Sequence, residues 1–130
     1  MAPHSDRGWH GGRAGFFEEI TATLVEYADK VFELSVRHEG VTREASLRQI
    51  EKSTGVIHPD LILPDLSDVA QTVWNKYVSL HRHRRYGING PERITYVDVE
   101  AWSRGSGWSL NLWETETIFR IDDEAVKSRS

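Results

Sequence analysis

Few side chains in this sequence have the types and spacing that catalysis requires. The chain has no cysteine, which excludes disulfides, thiolate metal sites and cysteine nucleophiles. It also lacks a phosphate-cradling glycine loop with its lysine, a GxSxG elbow and an HExxH pair. Ser103, Ser106 and Ser109 have no histidine nearby in the sequence. We therefore expect a protein that acts by contact, with no catalytic residues and no cofactor.

Acidic and histidine side chains are the remaining candidates for metal ligands or acid–base pairs. Five carboxylates near the C-terminus could hold a hard cation: Glu114, Glu116, Asp122, Asp123 and Glu124. The helical pattern places them on a solvent face, opposite the apolar stripe. His4 and His10 lack a third ligand at fixed spacing, and His81 and His83 point to different sides of a helix. We expect no metal site.

Length and charge narrow the class of protein. A chain of 130 residues fits one domain with one modest core. The net charge of -4 argues against a general nucleic-acid binder, although a local basic patch can still bind phosphate. No apolar run approaches the roughly 20 residues of a membrane helix, and the start lacks the apolar centre of a secretory signal. We expect a soluble cytoplasmic protein.

The first periodic stretch follows a glycine-rich start. Residues 1–15 have almost nothing to bury, and we expect a disordered tail there. Residues 16–40 are interpreted as an N-terminal helix that ends near Arg37, with Gly40 as its stop. Its apolar stripe recurs at spacings of three or four: Phe17, Ile20, Leu24, Tyr27, Val31 and Leu34.

A second helix is predicted to begin at Thr42 and to end at a Gly55 cap. Leu47 and Ile50 should face inward on a narrow apolar stripe. The stretch that follows contains two prolines and several large apolar side chains, so we expect a linker that is pinned along a surface.

The third predicted helix opens at Ser67 or Asp65 and ends in the densest positive cluster of the chain, residues 81–85. Its apolar stripe is typical of a core: Val69, Val73, Tyr77 and Leu80, with Trp74 beside it. Cations at a helix C-terminus offset the negative end of the dipole, which is one interpretation of the cluster. The other is a patch for phosphates or an acidic protein partner. Its arginines are therefore contact candidates: Arg82, Arg84 and Arg85.

The stretch 94–127 is interpreted as two capped helices with a glycine-marked joint. Thr95 is followed three residues later by Asp98, and Asn111 three residues later by Glu114, which is the spacing of a capping box. Residues around the first cap also have the spacing of a hydrophobic staple: Ile94 and Val99. We expect helices of roughly ten and fifteen residues. Their inward faces are Val97, Ala101 and Trp102, then Trp113, Thr117, Ile118, Ile121 and Ala125.

These elements predict an all-α fold, a small bundle of four to five short helices with a disordered N-terminal tail. The predicted segments are a tail over 1–15, an N-terminal helix over 16–40 and a helical domain over 41–127. Aromatic side chains of the C-terminal pair are contact candidates: Tyr96, Trp102, Trp108 and Trp113. Trp108 is the strongest anchor among them, because it lies in the joint and not on an apolar stripe.

The order of these motifs resembles the C-terminal region of tail assembly chaperones from long-tailed bacteriophages and related gene transfer agents. The resemblance covers about residues 42–126 and rests on twelve positions: Ile94, Thr95, Tyr96, Glu100, Ala101, Trp102, Gly107, Leu110, Trp113, Glu114, Ile118 and Asp122. Leu112 stands where the family usually has proline, and residues 1–40 match nothing in the pattern.

The resemblance implies a non-enzymatic chaperone that helps the tape measure protein and the tail tube subunits meet in the host cytoplasm, and that is absent from the finished virion. In this family the region is often joined by ribosomal frameshifting to an upstream domain. The chain is then either such an extension, with an upstream chaperone domain as a further partner, or a standalone version.

Two other functions stay open at this point. In one, the chain is a small DNA-binding adaptor whose short helices form a helix-turn-helix and whose residues 81–85 touch phosphate. In the other, which has the least support, a hydrolase site is assembled in space from a histidine and a buried serine or carboxylate.

Overall fold

A computed structural model describes residues 2–129, and the side chains of residues 15–127. Within that range the chain forms five α-helices, one 3-10 turn and two short antiparallel hairpins. The elements are α1 (Ala2–Ser35), β1 (Arg37–His38), β2 (Val41–Thr42), α2 (Arg43–Thr54), the 3-10 turn Pro59–Leu61, α3 (Asp68–Arg82), β3 (Tyr86–Gly87), β4 (Gly90–Pro91), α4 (Tyr96–Ser106) and α5 (Leu112–Arg129). The predicted small α-helical bundle is confirmed. The tail predicted over residues 1–15 lies, except for Gly15, outside the described side chains.

The core forms where α1 and α5 pack along each other and against α3. Leu24 and Ala28 of α1 are fully buried, and so are Ile118 and Ile121 of α5. The predicted stripe of the first helix is confirmed for Ile20, Leu24 and Leu34, whereas Phe17, Tyr27 and Val31 lie at its partly exposed edge. The first helix therefore shares one core with the C-terminal helices.

The first helix ends two residues before the predicted Arg37. Residues 37–38 pair instead with residues 41–42, in the register Arg37 to Thr42 and His38 to Val41. The turn between these strands places both Glu39 (φ 54°) and Gly40 (φ 83°) in the left-handed region. Gly40 therefore closes a hairpin and does not cap the helix.

The second helix starts and stops where the sequence predicts. The Thr42 hydroxyl accepts from the Ala45 main-chain N–H at 3.1 Å, and Gly55 adopts φ 75° at the C-terminus. Leu47 is buried as expected, but the inward prediction for Ile50 is wrong because its side chain is 50% exposed. Leu47 packs in a small satellite cluster with Leu34, Leu61 and Leu63, and Ile50 is not part of that cluster.

The apolar linker is held against the helices through Leu61 and Leu63, whereas Ile57 and Ile62 are more than half exposed. Leu61 is buried in the satellite cluster, and the Lys30 ammonium donates to the Ile62 carbonyl at 3.2 Å. The Arg43 guanidinium pairs with the Asp60 carboxylate at 2.5 Å. That hydrogen bond lowers the pKa of Asp60 below its ordinary value.

Ser67 caps α3, since its hydroxyl accepts from the Ala70 main-chain N–H at 3.2 Å. Most of the predicted stripe is buried: Val73, Tyr77 and Leu80. The prediction for Val69 is wrong, because Ala70 takes the inward position and Val69 is 41% exposed. No helix within the described range is both long and apolar enough to cross a membrane.

Both predicted capping boxes of the C-terminal pair are present. Thr95 and Asp98 bond reciprocally, and the Asn111 side chain accepts from the Glu114 N–H (2.8 Å) while Glu114 accepts from the Asn111 N–H (3.1 Å). The staple residues behave as predicted, with Ile94 buried and Val99 packed on the core. The predicted orientation of four side chains is wrong. Val97 and Ala101 were predicted to face inward but are exposed, and Glu114 and Asp122 were predicted to face solvent but are buried.

Candidate contact surface

Arg84 is the centre of a buried polar network and not part of a basic surface. Its guanidinium pairs with the Asp122 carboxylate of α5, and the two side chains are 1% and 3% exposed. The Asp122 carboxylate also accepts from the Tyr77 hydroxyl (3.1 Å) and from the Ile94 main-chain N–H (2.9 Å). Arg84 in turn donates to the Glu92 carbonyl at 2.7 Å. This network ties the end of α3 to the last helix and to the residue before the α4 cap.

The ionisation of Arg84 follows from these partners. Burial by itself would lower the pKa of the guanidinium, but the hydrogen bond and the negative charge of Asp122 outweigh that effect and raise the pKa. Arg84 is therefore a fixed cation inside the protein. Its Nε–H also faces Nδ1 of His81 at 3.2 Å.

The other arginines of the cluster differ from one another. Arg85 is exposed but lies 3.2 Å from the Asp98 carboxylate and 3.9 Å from that of Glu92. Arg82 is exposed at the end of α3 and makes no ion pair with the described side chains. The cluster is thus divided into one buried, one paired and one unpaired arginine. The geometry gives no support to the DNA-binding alternative, which needs several cations on one surface.

The Asp98 carboxylate belongs both to the first capping box and to the ion pair with Arg85. Burial would raise the pKa of Asp98, but hydrogen bonds from the Thr95 main chain and side chain, together with Arg85, lower the pKa below its ordinary value. The box is therefore strongest with the carboxylate ionised.

Two of the predicted aromatic contact candidates, Trp102 and Trp113, pack and form hydrogen bonds within the fold. Trp102 is 7% exposed, and its indole N–H donates to the Ser79 hydroxyl at 2.9 Å. Trp113 is partly buried, donates to the Thr21 hydroxyl at 3.0 Å and packs against Phe17 with a ring separation of 4.8 Å. Both rings consolidate the core, as their places on apolar stripes indicate.

Tyr96 and Trp108 remain exposed. Tyr96 is 64% exposed and packs edge-on against Phe119 at 4.8 Å. Trp108 is 46% exposed and meets the edge of Trp102 at 5.9 Å. An exposed aromatic supported by a buried aromatic keeps a defined position while it offers a large apolar surface.

The main chain around Trp108 is fixed on both sides. Its carbonyl accepts from the Ser103 hydroxyl at 2.5 Å, and its N–H donates to the Ser106 hydroxyl at 3.1 Å. The next carbonyl, that of Ser109, accepts from Lys76 of α3 at 3.0 Å, and the same ammonium pairs with Glu114 at 2.9 Å. The joint therefore presents Trp108 from a pre-organised loop, which limits the entropy lost on binding.

Trp108 lines two hollows. One of about 500 Å³ runs along the outward face of α3 and is lined by Tyr27, Gln71, Trp74, Asn75, Val78, Ser79, Arg82 and Trp108. The second, of about 360 Å³, is lined by Thr72, Asn75, Lys76, Trp108 and Ser109. We call the two together the Trp108 groove. Two of the predicted contact candidates, Trp108 and Arg82, line the groove, whereas Tyr27 was not predicted because it comes from α1 and is brought near only by tertiary packing.

A further cavity of about 470 Å³ lies between the end of α3 and α4, where Arg84, Asp98 and Trp102 contribute to its wall. The polar groups of these three residues are already paired. Across the described side chains, no buried polar atom lacks a hydrogen-bond partner, and no three His, Asp or Glu residues converge as metal ligands. The Trp108 groove is therefore the candidate contact surface.

Comparison with known proteins identifies the family of the chain. The family model described as phage tail assembly chaperone matches residues 50–127, which is more than half of the chain. No curated protein and no solved structure matches it. The match includes α3, both capping boxes and Trp108, whereas α1 lies outside it. The chain belongs to the phage tail assembly chaperone family.

Proposed function

We propose that the chain is a non-enzymatic chaperone that contacts the tape measure and tail tube proteins transiently during assembly of a phage tail. It would act in the host cytoplasm and be absent from the finished virion. The observation that carries the proposal is the family match over residues 50–127. Family membership supports a role in tail assembly, and the choice of these two partners follows the resemblance described above.

The exposed side of the matched region supports a contact function. Trp108 is held in a fixed loop with almost half of its surface open, and Arg82 lines the same groove without an ion-pair partner among the described residues. Aromatic and arginine side chains are enriched among residues that dominate binding energy in interfaces. We assign Trp108 as the principal anchor, with Arg82 beside it and Tyr96 as a separate exposed aromatic.

Co-purification tests this proposal. The full chain, carrying an affinity tag, is co-expressed with the tail tube protein or the tape measure protein encoded with it. We expect each partner to be retained by the wild-type chain and retention to fall at least about tenfold in Trp108→Ala. Ile88→Ala is the matched control, because Ile88 is a fully exposed apolar residue in the turn between β3 and β4. Failure of the wild-type chain to retain either protein would reject the proposed partners.

A further inference from the structure

We infer that the Trp108 groove binds an acidic segment of the partner protein, with Trp108 as the apolar anchor and Arg82 as the partner of a carboxylate. This inference rests on the proposed function and specifies the chemistry of the segment that would be recognised.

The shape is that of a track along one helix. Residues 71, 74, 75, 78 and 82 recur at the three- and four-residue spacing of a single face of α3. Tyr27 and Trp108 add aromatic side chains to this face, and Asn75 and Trp108 line both hollows. A chain segment that lies along α3 can therefore contact the aromatic surface of Tyr27, Trp74 and Trp108.

The charge of the groove is opposite to that of the protein. The chain carries 20 acidic and 16 basic side chains, yet among the described side chains no aspartate or glutamate lines either hollow, whereas Lys76 and Arg82 do. Lys76 is already paired with Glu114, which leaves Arg82 as the cation available to a ligand. A groove without carboxylates and with an available guanidinium favours a carboxylate on its ligand.

The groove also retains groups that can bond a peptide main chain. The Gln71 amide donates to the Asn75 carbonyl oxygen at 2.9 Å, so the Asn75 amide nitrogen and the Gln71 carbonyl oxygen are able to bond a ligand. The indole N–H of Trp108 donates to no group in the described part of the chain. Donors and acceptors beside aromatic surface suit a peptide with an apolar side chain.

A peptide fits these observations better than a nucleic acid. Binding to a phosphate backbone usually requires several cations, because each neutralised phosphate adds to affinity through counterion release. Here Arg84 is buried against Asp122 and Arg85 is paired with Asp98, so neither is free to extend the charge of Arg82. Within the described part of the chain, Arg82 is the one unpaired cation of the groove, which suits one carboxylate.

Peptide arrays and titrations test the inference. The probes are immobilised peptides of about 15 residues, tiled along the tail tube and tape measure proteins encoded with the chain, which are then incubated with the full-length chain. We expect the bound peptides to combine Asp or Glu with an apolar residue. For a selected peptide, Kd should rise about 30-fold with Trp108→Ala and about tenfold with Arg82→Glu. Replacing the peptide's acidic residues by amides should weaken binding to the wild-type chain but not to Arg82→Glu.

Arg104→Glu is the matched control, because Arg104 is an exposed arginine on α4 that pairs with Glu100 and does not line the groove. It should leave Kd within about twofold. Circular dichroism checks that all variants are folded. If Trp108→Ala does not fold, Arg82→Glu still tests the groove. Full-length partners retained equally by wild type, Trp108→Ala and Arg82→Glu would overturn the groove and the assignment of Trp108 as the anchor, while leaving the proposed partners and the role in tail assembly intact. Arg82-dependent binding of random duplex DNA, with no peptide bound, would also overturn it.

Discussion

Arg84 and Asp122 form a buried ion pair that joins the end of α3 to α5, with both side chains almost completely enclosed. The pair is surrounded by hydrogen bonds from Tyr77 and Ile94 to the carboxylate and from Arg84 to the Glu92 carbonyl. Both residues lie in the region that the family model matches, so this region is held together by a polar contact in its interior.

Removing the arginine should destabilise the protein strongly. Arg84→Met leaves the Asp122 carboxylate buried without its cation, and we expect a loss of about 3–5 kcal/mol in the free energy of unfolding. Arg85→Met is the control, because the Arg85 pair is exposed, and it should change stability by less than about 1 kcal/mol. Urea denaturation of both variants measures the difference. Equal, small losses would show that the buried pair does not hold α3 to α5.

The first helix should be part of the same cooperative core as the matched region. Leu24→Ala removes a fully buried side chain of α1 from its contacts with the core, and we expect a loss of about 2–5 kcal/mol. Leu112→Ala has the same chemistry at a position that is 70% exposed, and it should change stability by less than about 1 kcal/mol. The midpoints of urea unfolding compare them. If Leu24→Ala costs no more than Leu112→Ala, α1 does not pack as described.

The first capping box should make stability depend on acid pH. Because the folded-state pKa of Asp98 is lowered, its contribution is complete above the ordinary pKa of about 3.9 and is lost as the pH falls through the lowered value. Asp98→Asn should therefore destabilise the protein by about 1 kcal/mol near pH 7 and by much less near pH 2. Urea midpoints at both pH values measure this, with Glu100→Gln on the same helix as control. A difference that is constant with pH would exclude the ionised box.

Two glycines of α4 should respond to alanine with opposite sign. Gly105 lies within the helix with open space at its Cβ position, so Gly105→Ala should stabilise by about 0.5–1 kcal/mol. Gly107 caps the helix at φ 78°, where a Cβ is strained, so Gly107→Ala should destabilise by about 1 kcal/mol. Thermal unfolding followed by circular dichroism separates the two. A stabilising Gly107→Ala would mean that the joint before Trp108 is not left-handed.

The parts of the fold that were predictable are those that the local sequence determines. Thr42, Ser67, Thr95 and Asn111 each cap a helix through an amide three residues away. Short spacing was sufficient to locate three of these helix starts, and for the third helix it left Ser67 and Asp65 as alternatives. The end of the first helix was predicted at Arg37 but lies at Ser35. The residues after α1 pair in a hairpin with two-residue strands, and strands so short leave almost no pattern in the sequence.

Buried charge was harder to predict, because residue type favours the surface. Asp122 was placed on a solvent face, although it lies four residues after Ile118 and three before Ala125, which is the spacing of the inward stripe. That spacing was the available signal. Its partner Arg84 is 38 positions away, and no local rule joins them. The exposure of Trp108 could be predicted from its place in the joint, whereas the groove around it depends on α1, α3 and the joint together.

Counting assembled tails measures whether tail assembly requires the chain and its Trp108 side chain. The tail genes are expressed with the wild-type chain, without it, or with Trp108→Ala or the control Ile88→Ala, and complete tails are counted by electron microscopy. We expect abundant tails with the wild-type chain and with Ile88→Ala, and no tails without the chain. With Trp108→Ala, at equal levels of folded protein, the number of tails should fall at least about tenfold. Normal numbers of tails in the absence of the chain would contradict the account.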